Sequence, residues 1–269
     1  MVSELMVDVL ANLVKRYRRI ELKTVCEILN IDPSSVGEIA NSLALREHFD
    51  LYDDTLFYLA PREEDRYSVR LRSHYTEKFA IGQLAATLFR PGDHLMIEAG
   101  STMTIFTQNL TDVPGLRIST NNYAVASHMV SSNSTCQVRI IGGHLKADGG
   151  GCMGELAEAN VRATPADWAI ISPVGVSAEG EIMYYDAQEA SFARAMSQSC
   201  TKTIVLCDSS KVGVPSRHTA IEPQDVDYFI TDSYLKPLSQ ARLMRSGLRA
   251  LRIAQVEVET ASEIVMLDV

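Results

Sequence analysis

From residue 95 onward the chain alternates short apolar runs with stretches of helical period, and this rhythm limits the fold more than any other feature. Runs at 95–99, 116–120, 138–141, 168–172, 203–207 and 228–231 have the length and apolar content of buried strands. The segments 102–110, 122–131, 154–163, 186–200 and 236–246 read as helices. Buried strands that take turns with helices are joined by crossovers, and crossovers build a largely parallel sheet flanked by helices, an α/β fold. Ligands bind such sheets beyond the carboxyl ends of the strands. Chemistry is therefore expected in the residues that follow each apolar run.

The first run ends in Glu98-Ala99-Gly100-Ser101-Thr102. Gly100 lets backbone N–H groups approach a ligand, the following helix start carries partial positive charge, and Ser101 and Thr102 add hydroxyls, a set that suits phosphate or another anion. The same residues also make a plain strand-to-helix turn with capping hydroxyls. Thr120 and Asn121 close the second run, where they can read sugar hydroxyls or cap the next helix. Gly142 and Gly143 follow the third, Gly149-Gly150-Gly151 comes soon after, and Gly175 and Gly180 bracket a turn after the fourth. Such glycines serve close backbone approach to a ligand or simply tight turns. The fifth run ends in Asp208-Ser209-Ser210-Lys211, which brings a carboxylate and an ammonium to one edge. Lysine holds phosphate as a point charge; a surface ion pair is the alternative.

Other chemistries find little support. His94, His128, His144 and His218 share no metal-ligand spacing, and Ser101 has no evident His–Asp partners. Neither a phosphate-binding Walker loop nor a dinucleotide fingerprint is present, so no cofactor and no metal are expected. Cys26, Cys136, Cys152, Cys200 and Cys207 are scattered, which argues against a disulfide framework and for a reducing cytoplasm. No apolar run reaches the roughly 18 residues of a membrane span, and Glu4 and Asp8 interrupt the N-terminal apolar residues where a signal peptide would have none. The chain has 25 basic and 34 acidic residues, a net charge of −9. Nucleic-acid contact, if made, therefore belongs to a local patch.

The first 60 residues have a different pattern. Residues 5–17 and 21–29 show helical spacing, and Asp32 followed by Pro33 starts a third helix. Two strand-like runs, 49–52 and 56–59, are joined by Asp53-Asp54-Thr55. Three short helices and a hairpin are the arrangement of a winged helix-turn-helix, or of a small helical cap with no DNA role. Residues 61–78 are rich in charge and read as a linker entering a helix at about 76–90, which Pro91-Gly92-Asp93 stops. The expected organisation is thus 1–60, a linker at 61–78, and a ligand-binding unit at 79–269.

Taken in order, Glu98-Ala99-Gly100-Ser101-Thr102, Thr120-Asn121, Gly142-Gly143, Gly154, Gly175 with Gly180, Glu189 with Arg194, Asp208-Ser209-Ser210-Lys211 and Ile230-Thr231-Asp232 resemble the C-terminal effector domain of the DeoR family of bacterial transcription regulators. The resemblance spans about 78–232. It implies a fold similar to ribose-5-phosphate isomerase and CoA transferases, a phosphorylated sugar as effector, and a homo-oligomer that binds a DNA operator, more often as a repressor. The effector residues it implies are Glu98, Gly100, Ser101, Thr102, Thr120, Asn121, Gly142, Gly143, Gly175, Asp208 and Lys211. The family usually has Asp where this chain has Glu98, which keeps the charge and lengthens its reach.

The N-terminal unit departs further from the family. Its recognition helix usually reads Thr-Ile-Arg-Arg-Asp-Leu, whereas this chain has Ser35-Val36-Gly37-Glu38-Ile39-Ala40. Residues 1–60 hold six basic and ten acidic side chains, although Lys and Arg supply most non-specific DNA affinity. Candidate DNA contacts are Lys15, Arg16, Arg18, Arg19 and Lys23 for phosphates, and Ser34, Ser35 and Asn41 on the third helix. The basic cluster reads equally as a solvated helix end. Arg242, Arg245 and Arg249, at helical spacing, are expected to form a solvated or subunit-facing stripe. Two rival functions remain on these residues: a phosphosugar isomerase using Glu98 or Asp208 as base, and a metabolite sensor that has lost DNA binding.

Overall fold

The computed structural model describes residues 4–17, 19–46, 49–52, 54–58, 66–146 and 151–256. The N-terminal unit runs α1 (Glu4–Tyr17), β1 (Arg19–Glu21), α2 (Leu22–Leu29), α3 (Pro33–Ala44), β2 (Phe49–Tyr52) and β3 (Thr55–Tyr58). Its strands form an antiparallel sheet in the order β1-β3-β2. The helices bury Val7, Leu10, Val14, Val25, Val36 and Leu43 against Ile20 and Leu56 of that sheet. Asp32 starts α3 by accepting a hydrogen bond from the Ser35 N–H at 3.0 Å, with Pro33 in the first turn. Arg18 and the loop residue Asp53 lie outside the described residues.

Two helices, α4 (Tyr67–Arg72) and α5 (Tyr75–Ala86), lead into the second unit. α4 falls inside the stretch read as linker from its charge. Its Tyr67 and Leu71 recur at helical spacing and are half-buried, so the segment packs despite its arginines.

The remaining elements are β4 (His94–Ile97), α6 (Ser101–Thr107), β5 (Arg117–Thr120), α7 (Tyr123–Ser132), β6 (Gln137–Ile140), β7 (His144–Leu145), β8 (Cys152–Met153), α8 (Glu155–Arg162), β9 (Ala166–Ile171), β10 (Gly175–Val176), β11 (Ile182–Tyr184), α9 (Ala187–Ser199), β12 (Cys200–Leu206), β13 (His218–Ile221), β14 (Tyr228–Asp232), α10 (Pro237–Arg245) and β15 (Leu251–Ala254). Seven strands form one sheet in the order β15-β14-β12-β9-β4-β5-β6, and every neighbouring pair is parallel. Six of these strands sit on the apolar runs, and the five helices between and after them sit on the helical stretches.

Both faces of this sheet are covered. Ile204 and Leu206 join Leu95, Ile97, Phe106 and Trp168 on one side, while Val205 joins Phe192, Met196 and Phe229 on the other. Alternate residues of one strand thus meet two separate cores, which is why these strands are apolar throughout. The seventh strand, β15, escaped the sequence reading because it is a four-residue edge strand with Arg252 exposed in it. Two small antiparallel sheets, β10-β11-β13 and β7-β8, were also not expected.

Strand order fixes where a ligand can enter. From β4 the chain moves outward through β5 to β6, then returns to β9 and moves the other way through β12 and β14 to β15. Between β4 and β9 the order reverses, so the loops leaving these strands diverge and open a crevice at their carboxyl ends.

Candidate effector site

A cleft occupies that crevice. It is lined by Glu98, Gly100, Ser101 and Thr102 after β4, by Ser172 and Val174 after β9, by Lys211 after β12, and by Arg70 of α4, Tyr184 of β11 and Glu189 of α9. The cleft is open to solvent, with about 430 Å³ of space not filled by atoms.

Two ammonium groups set the charge of the cleft. Lys211 Nζ donates to the Pro173 carbonyl at 2.7 Å. Lys78, on α5, is buried; its Nζ donates to the carbonyls of Arg70 at 2.5 Å and Ser73 at 2.7 Å, and reaches Ser101 Oγ at 3.3 Å. Burial, and then the nearby Lys211 charge, push the Lys78 ammonium down to about 8, with Asp208 acting in the opposite direction. Asp208 is itself buried, which alone would raise its carboxyl. The Lys211 ammonium, the Ser210 hydroxyl and the charges of His74 and Lys78 outweigh that and hold it below the ordinary carboxylate value. Charges of both signs meet here, since Glu98 and Glu189 line the cleft together with Arg70 and Lys211.

Several buried polar atoms here lack a hydrogen-bond partner among the described residues: Thr102 Oγ1, Asn121 Oδ1, Asp208 Oδ2 and Thr231 Oγ1. A buried polar atom without a partner costs stability; of these four, Thr102 lines the cleft. Other polar groups serve as scaffold. Glu98 Oε2 accepts from the Ser172 N–H at 3.0 Å and from the Tyr184 hydroxyl at 2.8 Å, which ties β4 to β9 and β11. Asp232 holds the Asp208–Lys211 turn by accepting from the Ser209 N–H at 2.7 Å.

Of the expected effector residues, Glu98, Gly100, Ser101, Thr102 and Lys211 line the cleft. Asp208 stands behind it, joined to Ser210 by a short hydrogen bond. Thr120 accepts from the Asn122 N–H at 3.1 Å, and Asn121 Nδ2 donates to the Cys152 carbonyl at 3.1 Å, so both help pin the loops after β5. Gly142, Gly143 and Gly175 are not among the lining residues. A Cβ on Gly175 would stand 2.0 Å from the Val214 carbonyl oxygen, so this glycine serves close backbone packing. Gly149 and Gly150 lie outside the described residues. Lys78 and Arg70 are the residues that sequence reasoning missed; both fall in the charged stretch read as linker, where nothing local distinguishes them from solvated charges.

The candidate DNA contacts are dispersed. Arg16 and Lys23 are exposed. Lys15 Nζ lies over the Phe49 and Tyr58 rings, 5.9 and 5.8 Å from their centroids. Arg19 instead turns toward the second unit and donates to the Val212 carbonyl at 2.8 Å. On α3, the Ser34 hydroxyl donates to Asp32 at 2.7 Å, the Ser35 N–H caps the helix, and Asn41 Nδ2 donates to the Gly37 carbonyl at 2.9 Å. Arg18 lies outside the described residues.

Comparison with known proteins places the second unit in a family. The chain is 29% identical over 188 residues to an uncharacterized HTH-type transcriptional regulator, YgbI, of Escherichia coli, covering 70% of this chain and 73% of that one. It is 25% identical to the HTH-type transcriptional repressor GlcR of Bacillus subtilis, covering 90% and 93%. It is 27% identical to the glycerol-3-phosphate regulon repressor of Haemophilus influenzae, covering 76% and 79%. Among solved structures, a D-ribose-5-phosphate isomerase in complex with phospho-erythronic acid aligns with a TM-score of 0.37 at 12% identity, covering 50% of this chain and 52% of that one, a likeness too low to carry argument. Residues 73–233 match the profile of the DeoR C terminal sensor domain. This chain belongs to the DeoR family, and its seven-stranded unit contains that family's sensor domain.

Proposed function

We propose that the chain is a transcriptional repressor of carbohydrate genes, with a winged helix-turn-helix at its N-terminus for an operator and a cleft for a phosphorylated sugar that modulates the hold on DNA. One observation carries the effector half: Lys211 lines the cleft, and the Lys78 ammonium, buried behind it, reaches Ser101 Oγ at 3.3 Å. Two like charges raise each other's cost, which the Asp208 carboxylate offsets in part and a bound anion would offset further. In this reading the ligand's phosphate sits against Ser101, Thr102 and the two ammoniums, and Asp208 and Asn121 meet hydroxyl groups. Arg70 of α4 and Glu189 of α9 stand at the wall of the cleft, where the rest of the sugar would lie.

The isomerase alternative has less support. A general base works best with a pKa near the operating pH. Glu98 is committed to Tyr184 and Ser172, while Asp208 is held below its ordinary value. The relatives described above are named as regulators, and the cytoplasm is the compartment that such a role requires. A homo-oligomer would give each operator two half-sites.

The test is a thermal-shift screen with matched phosphorylated and unphosphorylated sugars, since a ligand that binds only the folded state raises the midpoint. Phosphorylated members are expected to raise it and their unphosphorylated counterparts to leave it in place. Calorimetry on Lys211→Ala should then show at least about a tenfold loss toward the phosphorylated ligand, the scale of one charge-assisted contact. Equal losses for both ligands would refute the phosphate assignment.

A further inference from the structure

The turn that supplies Asp208 and Lys211 to the cleft has a second face. There Arg19 Nη1, from β1 of the N-terminal unit, donates to the carbonyl of Val212 at 2.8 Å. Gly213 makes room for it: with φ at +75° it adopts backbone that favours glycine, and a Cβ there would stand 2.7 Å from Arg19 Nη1. Arg19 is half-buried, and burial lowers its pKa, with Glu21 opposing and Arg242 adding to the effect. The guanidinium has thus given up water for this contact. Another link in this region, Lys236 Nζ to Glu21 Oε1 at 3.2 Å, joins two exposed side chains and is of a kind that contributes little.

Cleft and contact lie on consecutive residues. Lys211 lines the cleft and Val212 holds Arg19. The turn between them is tight, with the Lys211 N–H bonded to the Asp208 carbonyl at 3.1 Å and the Val212 N–H to the Ser209 carbonyl at 3.3 Å. Such a turn moves as a unit. Its position is set by the bond from Lys211 Nζ to Pro173, by the Ser209 N–H donating to Asp232 at 2.7 Å and by the bridge that pairs Val212 with Val176.

We propose that Arg19 is the residue through which occupancy of the cleft reaches the N-terminal unit: an anion that draws Lys211 off the Pro173 carbonyl shifts the 209–213 turn, carries the Val212 carbonyl with it and frees Arg19. This rests on the anion-binding reading of the cleft. It gives the ligand what regulation requires, a different affinity for the bridged and unbridged arrangements. It also removes Arg19 from the set of phosphate-gripping residues in the bridged arrangement.

Hydrogen exchange on the full chain, with saturating inorganic phosphate as the probe, tests it. In the wild type, phosphate is expected to slow exchange around Ser101 and Thr102 and to speed it several-fold across β1. In Arg19→Ala, β1 should exchange at the faster rate with or without phosphate, while protection at Ser101 persists. Gly213→Ala breaks the same contact from the opposite side and should behave alike, which separates loss of the bridge from local damage to β1. Protection at Ser101 with no response in β1 of the wild type would overturn the proposal, as would an equal β1 response in Arg19→Ala. No protection at Ser101 in any of the three proteins would instead sink the anion-binding reading, and this inference with it.

Discussion

A lysine buried against two backbone carbonyls and a serine hydroxyl holds its proton less firmly than one in water, and Lys78 is in that position, at about 8 against an ordinary 10.5. The consequence for binding has a definite sign. Below pH 8 the ammonium, bonded to the Arg70 and Ser73 carbonyls and Ser101 Oγ, attracts a phosphate at Ser101 through its charge; above it the amine is neutral and that attraction is gone. Affinity for a phosphorylated sugar should therefore fall as pH rises through about 8, by about tenfold for each unit by which the bound anion raises Lys78. Lys78→Met should flatten the profile, and Asp208→Asn, which removes an opposing negative charge, should move its midpoint below 8. Calorimetry across the pH range reads all three, and a wild-type profile flat from 7 to 9 would show that Lys78 does not face the ligand. The stability of the free protein runs the other way. Between about 8 and 10.5 the folded lysine is neutral while the unfolded one is still protonated, so stability rises with pH in that window.

At the scale of elements, legibility followed burial. The inner apolar runs were readable because a strand covered on both faces is apolar along the buried part of its length, as β4 and the end of β12 are, a signal that needs no partner to be seen. The mostly exposed edge strand β6 was read from Val138, Ile140 and Ile141. β10, β11 and β13 were not, since a two-residue strand such as Gly175–Val176 exists only through what it pairs with. The cleft was half legible for the same reason. Ser101 and Lys211 stand at strand ends, where the topology assigns chemistry, whereas Lys78 enters from α5 and Arg70 from α4, and only packing brings them there. α3 lies at the readable extreme, with its start written in Asp32-Pro33. Asp32→Ala should speed exchange of the buried Ile39 and Ala40 amides about fivefold, the effect of losing a typical N-cap, and leave β9 unchanged. The Ser34 and Ser35 hydrogen bonds hold the Asp32 carboxyl well below its ordinary value. The capping contribution is therefore fully present above pH 3.8 and is lost as pH falls toward the depressed value. Exchange rates in the variant that match the wild type at neutral pH would show that Pro33 alone sets the helix start.

At the scale of the whole molecule the question is how a chain of net charge −9 holds DNA. Counterion release makes affinity track the number of phosphates neutralised, and the N-terminal unit has few cations to spend on it. Arg46 is bound to Glu4 and, at 2.7 Å, to Asp8; Arg19 is bound to Val212; Lys15 lies over two rings. Among the described residues of this unit, that leaves Arg16, 5.6 Å from the Tyr17 ring centroid, and Lys23 on α2. A single copy should therefore grip a non-specific duplex weakly and with a shallow dependence on salt. Fluorescence anisotropy with such a duplex over a range of salt concentrations measures the slope directly. Lys23→Ala should weaken binding to every sequence alike and lower the slope by about one; a slope that does not change would remove Lys23 from the phosphate contacts. In the proposed homo-oligomer, joining copies raises affinity, because a second half-site held by the same assembly binds at high effective concentration. The slope for a duplex with two spaced half-sites should then approach twice that for one, whereas equal slopes would mean that one copy acts alone and that the acidic recognition helix is compensated elsewhere.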